Sequence, residues 1–135
     1  MVRKRENKGL DMVRKYSLKY YGKVLDSYEL LGRHLPEAMI KWIELRKAVF
    51  EEPPVGALTL REKELISIAI EIATRKPDIE FHTKKAMDAG ATVEEIAEVA
   101  GICILLGGMM TYIVSGENVL RVAEKYANRP KKRRT

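Results

Sequence analysis

Glu64, Asp78 and His82 are the residues of this chain whose types and spacing suit proton chemistry. Asp78 and His82 are four apart, which on a helix places them on one face and within reach of each other. A carboxylate so placed fixes the imidazole tautomer, a common arrangement for an acid–base group. Glu64 stands one turn into a preceding segment whose remainder is apolar, and Glu71 follows seven residues later on roughly the same face. Glu71 is flanked by Ile70 and Ile72, so partial burial is expected. Set against Glu64, His82 becomes part of a carboxylate–imidazole cluster in a largely apolar setting. Spacing alone leaves plainer readings open. Asp78 at a helix start complements the helix dipole, Glu64 can pair with a nearby lysine or another chain's arginine, and a lone histidine on a half-apolar helix is commonly structural. His34, beside Leu35-Pro36 at a helix junction, has less claim.

Thiol chemistry is narrowly bounded. Cys103 is the one cysteine in 135 residues, so the chain has no internal disulfide framework, no cysteine-based metal site and no dithiol pair. No apolar run is long enough to span a bilayer, and Met1 to Lys8 is basic and polar rather than a secretory leader. A cytoplasmic protein is expected. The net charge of +6 is unevenly placed: residues 1–8 carry +3, residues 128–135 carry +5, and residues 9–127 carry −2. Two basic tails therefore flank one folded domain, 9–127. Solvated tails are the plain reading, and weak, salt-sensitive contact with nucleic acid through Lys131 to Arg134 is the other. Glutamine is absent and asparagine occurs three times, against abundant Lys, Glu, Arg and Ile, a composition that leans toward a thermophile.

The elements that must position the cluster are all helical. Helices are expected over 8–20, 24–35 and 36–50, the third opened by Pro36 at its favoured first position. Pro53-Pro54 stops it, and residues 55–57 read as a linker. Thr59 with Glu62 forms a capping box at the start of a helix over 60–74, apolar on nearly every side. Pro77 is expected to open a helix over 77–89 that Gly90 ends in the left-handed region. Thr92 with Glu95 is a second capping box, starting a helix to about Leu106. Gly107-Gly108 breaks the pattern before a last helix over 109–126. Six to seven helices with short connections make an all-α, single-domain bundle.

Several stretches resemble the carboxymuconolactone decarboxylase family, which includes the alkylhydroperoxidase-D-like (AhpD-like) proteins. They are Tyr21-Gly22-Lys23-Val24, Leu35-Pro36-Glu37-Ala38, Arg46 to Phe50, Leu58 to Ile66, His82 with Ala86 to Ile96, and Gly107-Gly108. In order they cover roughly residues 20–125. The resemblance implies an AhpD-like helical fold built on a pair of antiparallel helices, and a homo-oligomer, trimer or hexamer. The apolar run Met109, Met110, Tyr112, Ile113 and Val114 agrees with an assembly, or in part with ordinary core.

Two branches of that family differ in chemistry. The peroxidase-like branch uses Cys-x-x-Cys-x-x-x-His with an upstream glutamate, a relay that needs an attacking thiolate and a resolving thiol. His82 takes the histidine place and Glu64 approximately the glutamate place, one residue short. The cysteine places fall at Arg75 and Asp78, so dithiol peroxidase activity is excluded. The decarboxylase branch lacks those cysteines and carries an Arg-Pro pair and an acid before the histidine, to which Arg75-Lys76-Pro77-Asp78 and His82 are similar, again offset by one. The resemblance then implies a cofactor-free lyase, without metal, acting on a small carboxylated lactone or keto acid. His82 would be its acid–base residue, Asp78 the orienter of His82, Glu64 a group setting its protonation, and Arg75 or Lys76 the carboxylate holder. The alternative is a drifted member serving as an oligomeric scaffold or partner-binding protein.

Overall fold

The computed structural model describes residues 2–77 and 80–131. Among them every regular element is helical, and the bundle is all-α as expected. The chain divides into two compact units, Met1–Glu51 and Glu52–Thr135, the boundary falling beside the Pro53-Pro54 helix stop.

The first unit holds α1 (Val2–Tyr21), α2 (Asp26–His34) and α3 (Pro36–Val49). Val13, Tyr16, Met39 and Ile43 form its core. Gly9 permits the close approach of α1 to α3, since a Cβ there would stand 2.7 Å from that of Pro36. The buried Ser17 hydroxyl donates to the Lys23 carbonyl (2.9 Å) and accepts from the Leu25 amide (2.8 Å), which holds the turn into α2.

The second unit contains α4 (Leu60–Ala73), α5 (Glu80–Asp88), α6 (Val93–Gly107) and a last helical run. That run comprises α7 (Met109–Thr111), a π-helical turn (Tyr112–Gly116) and α8 (Glu117–Ala127). Ile68 and Ile72 of α4, Ala86 of α5, Ile96, Ala100 and Cys103 of α6, and Val119 and Ala123 of α8 make one buried core. Burial on this scale supplies the main stabilisation, at roughly 25 cal/mol per Å² of apolar surface removed from water. It also fixes the rotation of α4, because Ile68 and Ile72 share one face.

In the first unit α1 begins at Val2, earlier than the expected residue 8, and in the second unit two helix starts depart from the sequence reading. At α4 the Glu62 amide donates to the Thr59 hydroxyl (3.2 Å) and the Thr59 amide to the Glu62 carboxylate (2.8 Å), a complete capping box. Gly90 follows α5 at φ +97°, with the Gly90 amide on Met87 and the Ala91 amide on Ala86. At α6 only half of the second capping box forms. Thr92 accepts from the Glu95 amide (3.1 Å), but the Glu95 carboxylate receives Arg61 at 2.7 Å instead of turning back on its own helix start. An ion pair between two helix starts has replaced the reciprocal leg. Pro77 is not the opening residue of α5. It lies at a bend in the connection, and Glu80 is the first described residue of the helix.

Thr59→Ala should lower stability by about 1 kcal/mol in urea denaturation. Thr92→Ala should cost less, because its partner carboxylate is already engaged. Equal losses would contradict the one-legged cap at α6.

Candidate functional site

Glu64 and Glu71 lie on α4, two helical turns apart, and the capping box at Thr59 sets where that face begins. His82 lies on α5 and meets both. Its Nδ1 is 2.5 Å from Oε2 of Glu64, and its Nε2 is 3.7 Å from Oε1 of Glu71. Glu64 is 2% exposed, whereas His82 keeps about a fifth of its surface open to solvent. The inner carboxylate is thus sealed in the unit and the imidazole forms the outer, reachable part. An ionised carboxylate this deep is tolerated only with a strong hydrogen-bond partner. An Nδ1–H donated to the Glu64 carboxylate would leave Nε2 as the ring nitrogen facing Glu71.

The neighbouring connection is held from two directions. α4 ends with the Arg75 amide on the Ile72 carbonyl (3.0 Å) and the Lys76 amide on the Glu71 carbonyl (3.0 Å). This is a Schellman ending, with Arg75 at φ +57° where glycine is the usual residue. A side chain in the left-handed region costs about 1–2 kcal/mol, so the surrounding contacts hold Arg75 there. From the opposite side the Ser115 hydroxyl donates to the Lys76 carbonyl at 2.6 Å. Ser115 is buried and belongs to the π-helical turn, a helix irregularity often found at functional sites. Gly116, in the same turn, leaves room against Tyr112 and Ile72.

Of the residues expected from the sequence, the structure joins Glu64 and His82 directly. Lys76 stands beside the cluster, its positive charge acting on the Glu71 carboxyl. Arg75 is exposed in the connection and is not joined to the cluster. Asp78 lies outside the described residues, as do Lys132 to Arg134 of the basic tail. Glu71, a same-face acid in the sequence, joins the cluster through the approach of His82 Nε2. Burial pushes its carboxyl above the usual glutamate range; His82 and Lys76 oppose that rise and Glu64 adds to it.

The other chemistry-bearing groups fall away from this cluster. Cys103 is buried on α6 with its Sγ 3.4 Å from the Ala69 carbonyl, and burial pushes its thiol pKa up, the reverse of a reactive thiolate. Among the described residues no three His, Cys, Asp or Glu side chains are grouped to hold a metal ion. A groove of about 480 Å³ between α5 and α8 is lined in part by Glu80, Lys84, Lys125, Tyr126 and Arg129. Lys84 is paired with Glu80 (3.0 Å), and Arg129 with Asp88 (3.3 Å) while stacking on Tyr126, so two of its three cations are already compensated. Among the described residues no helix is long and apolar enough to cross a membrane.

The second unit thus carries a carboxylate–imidazole pair on adjacent helices, its carboxylate buried. The chain belongs to the carboxymuconolactone decarboxylase family, whose pattern residues 36–114 match. An uncharacterised protein of Cupriavidus necator is 37% identical over 79 residues, covering 58% of this chain and 67% of that one. An uncharacterised protein of Methanocaldococcus jannaschii is 28% identical over 98 residues, covering 73% and 90% respectively. The fold is similar to the crystal structure of a Burkholderia xenovorans protein provisionally named a carboxymuconolactone decarboxylase. That similarity has a TM-score of 0.78 at 23% identity, over 90% of this chain and 93% of the other.

His82→Ala leaves the Glu64 carboxylate buried without its partner and should cost about 3–5 kcal/mol. Glu64→Gln combined with His82→Ala should recover a large part of that loss, since a neutral amide is cheaper to bury. Chemical denaturation of the two single variants and the double variant reads the difference. Additive losses would show that the two side chains are energetically independent.

Proposed function

We propose that this chain is a cofactor-free lyase of the carboxymuconolactone decarboxylase type, acting on a small carboxylated lactone or keto acid. The observation that carries the reading is the contact of buried Glu64 with His82 Nδ1, which leaves Nε2 oriented for proton transfer. In such a reaction the bond to the departing carboxylate breaks, CO2 leaves, and the electron pair is delocalised into a dienolate. His82 Nε2, having first taken up a proton, then delivers it to the product carbon, a step in which a positioned acid contributes about 10²–10⁴-fold.

Glu64 takes the orienting role in this account. Asp78, four residues before His82 in sequence, is retained as a candidate partner from spacing alone. Lys76 and Arg75, at the end of α4, are the cations available to hold a substrate carboxylate, and Lys76 is the nearer in effect, since its charge reaches Glu71. A cytoplasmic setting fits the buried free thiol of Cys103, which requires no oxidising compartment.

Assembly into a homo-oligomer, trimeric or hexameric, belongs to the same reading. Leu105 and Leu106 at the end of α6 are 80% and 82% exposed, and Met109, Met110 and Ile113 continue the apolar face. A contiguous apolar surface of this kind is unusual for a monomer. Leu106→Glu should reduce the mass measured by light scattering on a sizing column, with unchanged helix content by circular dichroism. A wild-type mass equal to one chain would remove the assembly.

The activity test is CO2 release from γ-carboxymuconolactone and related carboxylated lactones. Wild-type turnover should fall by at least about 100-fold in His82→Ala that remains folded. Absence of turnover in the wild type, or equal turnover in both, would remove the mechanism and favour a scaffold or partner-binding member of the family.

A further inference from the structure

Glu71 is the half-buried titratable group that the proposed mechanism leaves unused. Its Oε1 faces His82 Nε2 at 3.7 Å, beyond the ordinary hydrogen-bond limit of about 3.2 Å. Its Oε2 is buried and has no hydrogen-bond partner among the described residues. Buried carboxylate oxygens are ordinarily satisfied, so an orphaned one calls for a reason. The charged and titratable groups around it are His82 on α5, Lys76 in the connection and Glu64 on its own helix. α6 brings Cys103 against the same helix, at the Ala69 carbonyl. An ionised Glu71 would add a second negative charge beside Glu64, whereas a protonated one removes that repulsion and gains an O–H to offer.

That O–H has one evident acceptor. With the Nδ1 hydrogen committed to Glu64, the neutral ring of His82 presents a lone pair at Nε2, on the side where Glu71 stands. A small shift closes the remaining gap, or a water or substrate oxygen fills it.

We propose that Glu71 is the second proton carrier of the site, storing as a carboxylic acid the proton that His82 Nε2 delivers to the product. The inference rests on the lyase reading for its reaction, though not for the shared proton itself. The carbon–carboxylate bond of the substrate breaks, its electron pair forms the dienolate, and CO2 departs. The Glu71 proton moves to the lone pair of Nε2 and from there forms the new C–H bond, and solvent returns one proton to Glu71. One proton is consumed for each carboxylate lost. Glu71 acts through His82 and is a positioning and proton-storing residue.

The test is a pH titration of the full chain with ¹³C-labelled glutamate carboxyls and ¹⁵N-labelled histidine. Glu71→Gln assigns the Glu71 signal, and His34→Gln separates the two histidines. Glu71 should titrate above the usual glutamate value of about 4.3. The same midpoint should appear in the His82 ring signals and vanish from them in Glu71→Gln. Glu71→Gln should also lower kcat by about tenfold or more while KM stays within about twofold. An ordinary Glu71 titration with no echo in His82, or wild-type kcat in Glu71→Gln, would overturn the inference. If the wild type turns over no lactone, the lyase reading fails separately, and the shared midpoint alone decides for or against the proton pair. Should Glu71→Gln not fold, the wild-type titration with Glu71→Asp for assignment gives the same decision.

Discussion

A carboxylate sealed inside a helical unit must be given a partner, and Glu64 obtains His82. This one contact ties α4 to α5 with a directional bond, where the apolar core around Ile68, Ile72 and Ala86 supplies only non-directional attraction. Other local features fall into place around it. The capping box at Thr59 sets the start of α4, the Schellman ending with Arg75 in the left-handed region turns the chain, and Ser115 holds the Lys76 carbonyl from the π-helical turn. Each lies within a few residues of the carboxylate–imidazole pair or braces the connection that carries it.

The arrangement also bears on which chemistry the unit suits. The peroxidase-like branch of the family needs two thiols close to its histidine, and the positions that would carry them here are Arg75 and Asp78. The remaining thiol, Cys103, is buried on a different helix with its pKa pushed up. What the imidazole has instead is carboxylates, a sealed one at Nδ1 and a half-buried one toward Nε2. Such a set fits the proton transfer proposed for it.

Much of this was legible in the sequence because it depends on local rules. Helix periods, Pro36 at a first helical position, Gly90 at a left-handed one and the Thr59–Glu62 box follow from interactions within a few residues. The pairing of Glu64 with His82 was legible from residue type and approximate spacing, and the one-residue offset from the family pattern did not prevent it. Features set by distant partners were not legible. Arg61 lies 34 residues from Glu95 and removes it from its own cap. Ser115 lies 39 residues from Lys76. The approach of Glu71 to His82 depends on how α4 and α5 are placed side by side, which spacing along one helix cannot give. The π-helical turn has no composition signal of its own, and Pro77 favours a helix start without fixing one.

In the proposed mechanism Glu64 holds His82 in one tautomer, with Nε2 available for proton transfer. Long-range ¹H–¹⁵N correlation spectra of the labelled full chain read that tautomer directly. With His82 neutral, Nδ1 should be pyrrole-type and protonated and Nε2 pyridine-type, with Glu64→Gln disturbing the preference. A neutral ring protonated at Nε2, or one whose tautomer balance is indifferent to Glu64→Gln, would contradict it.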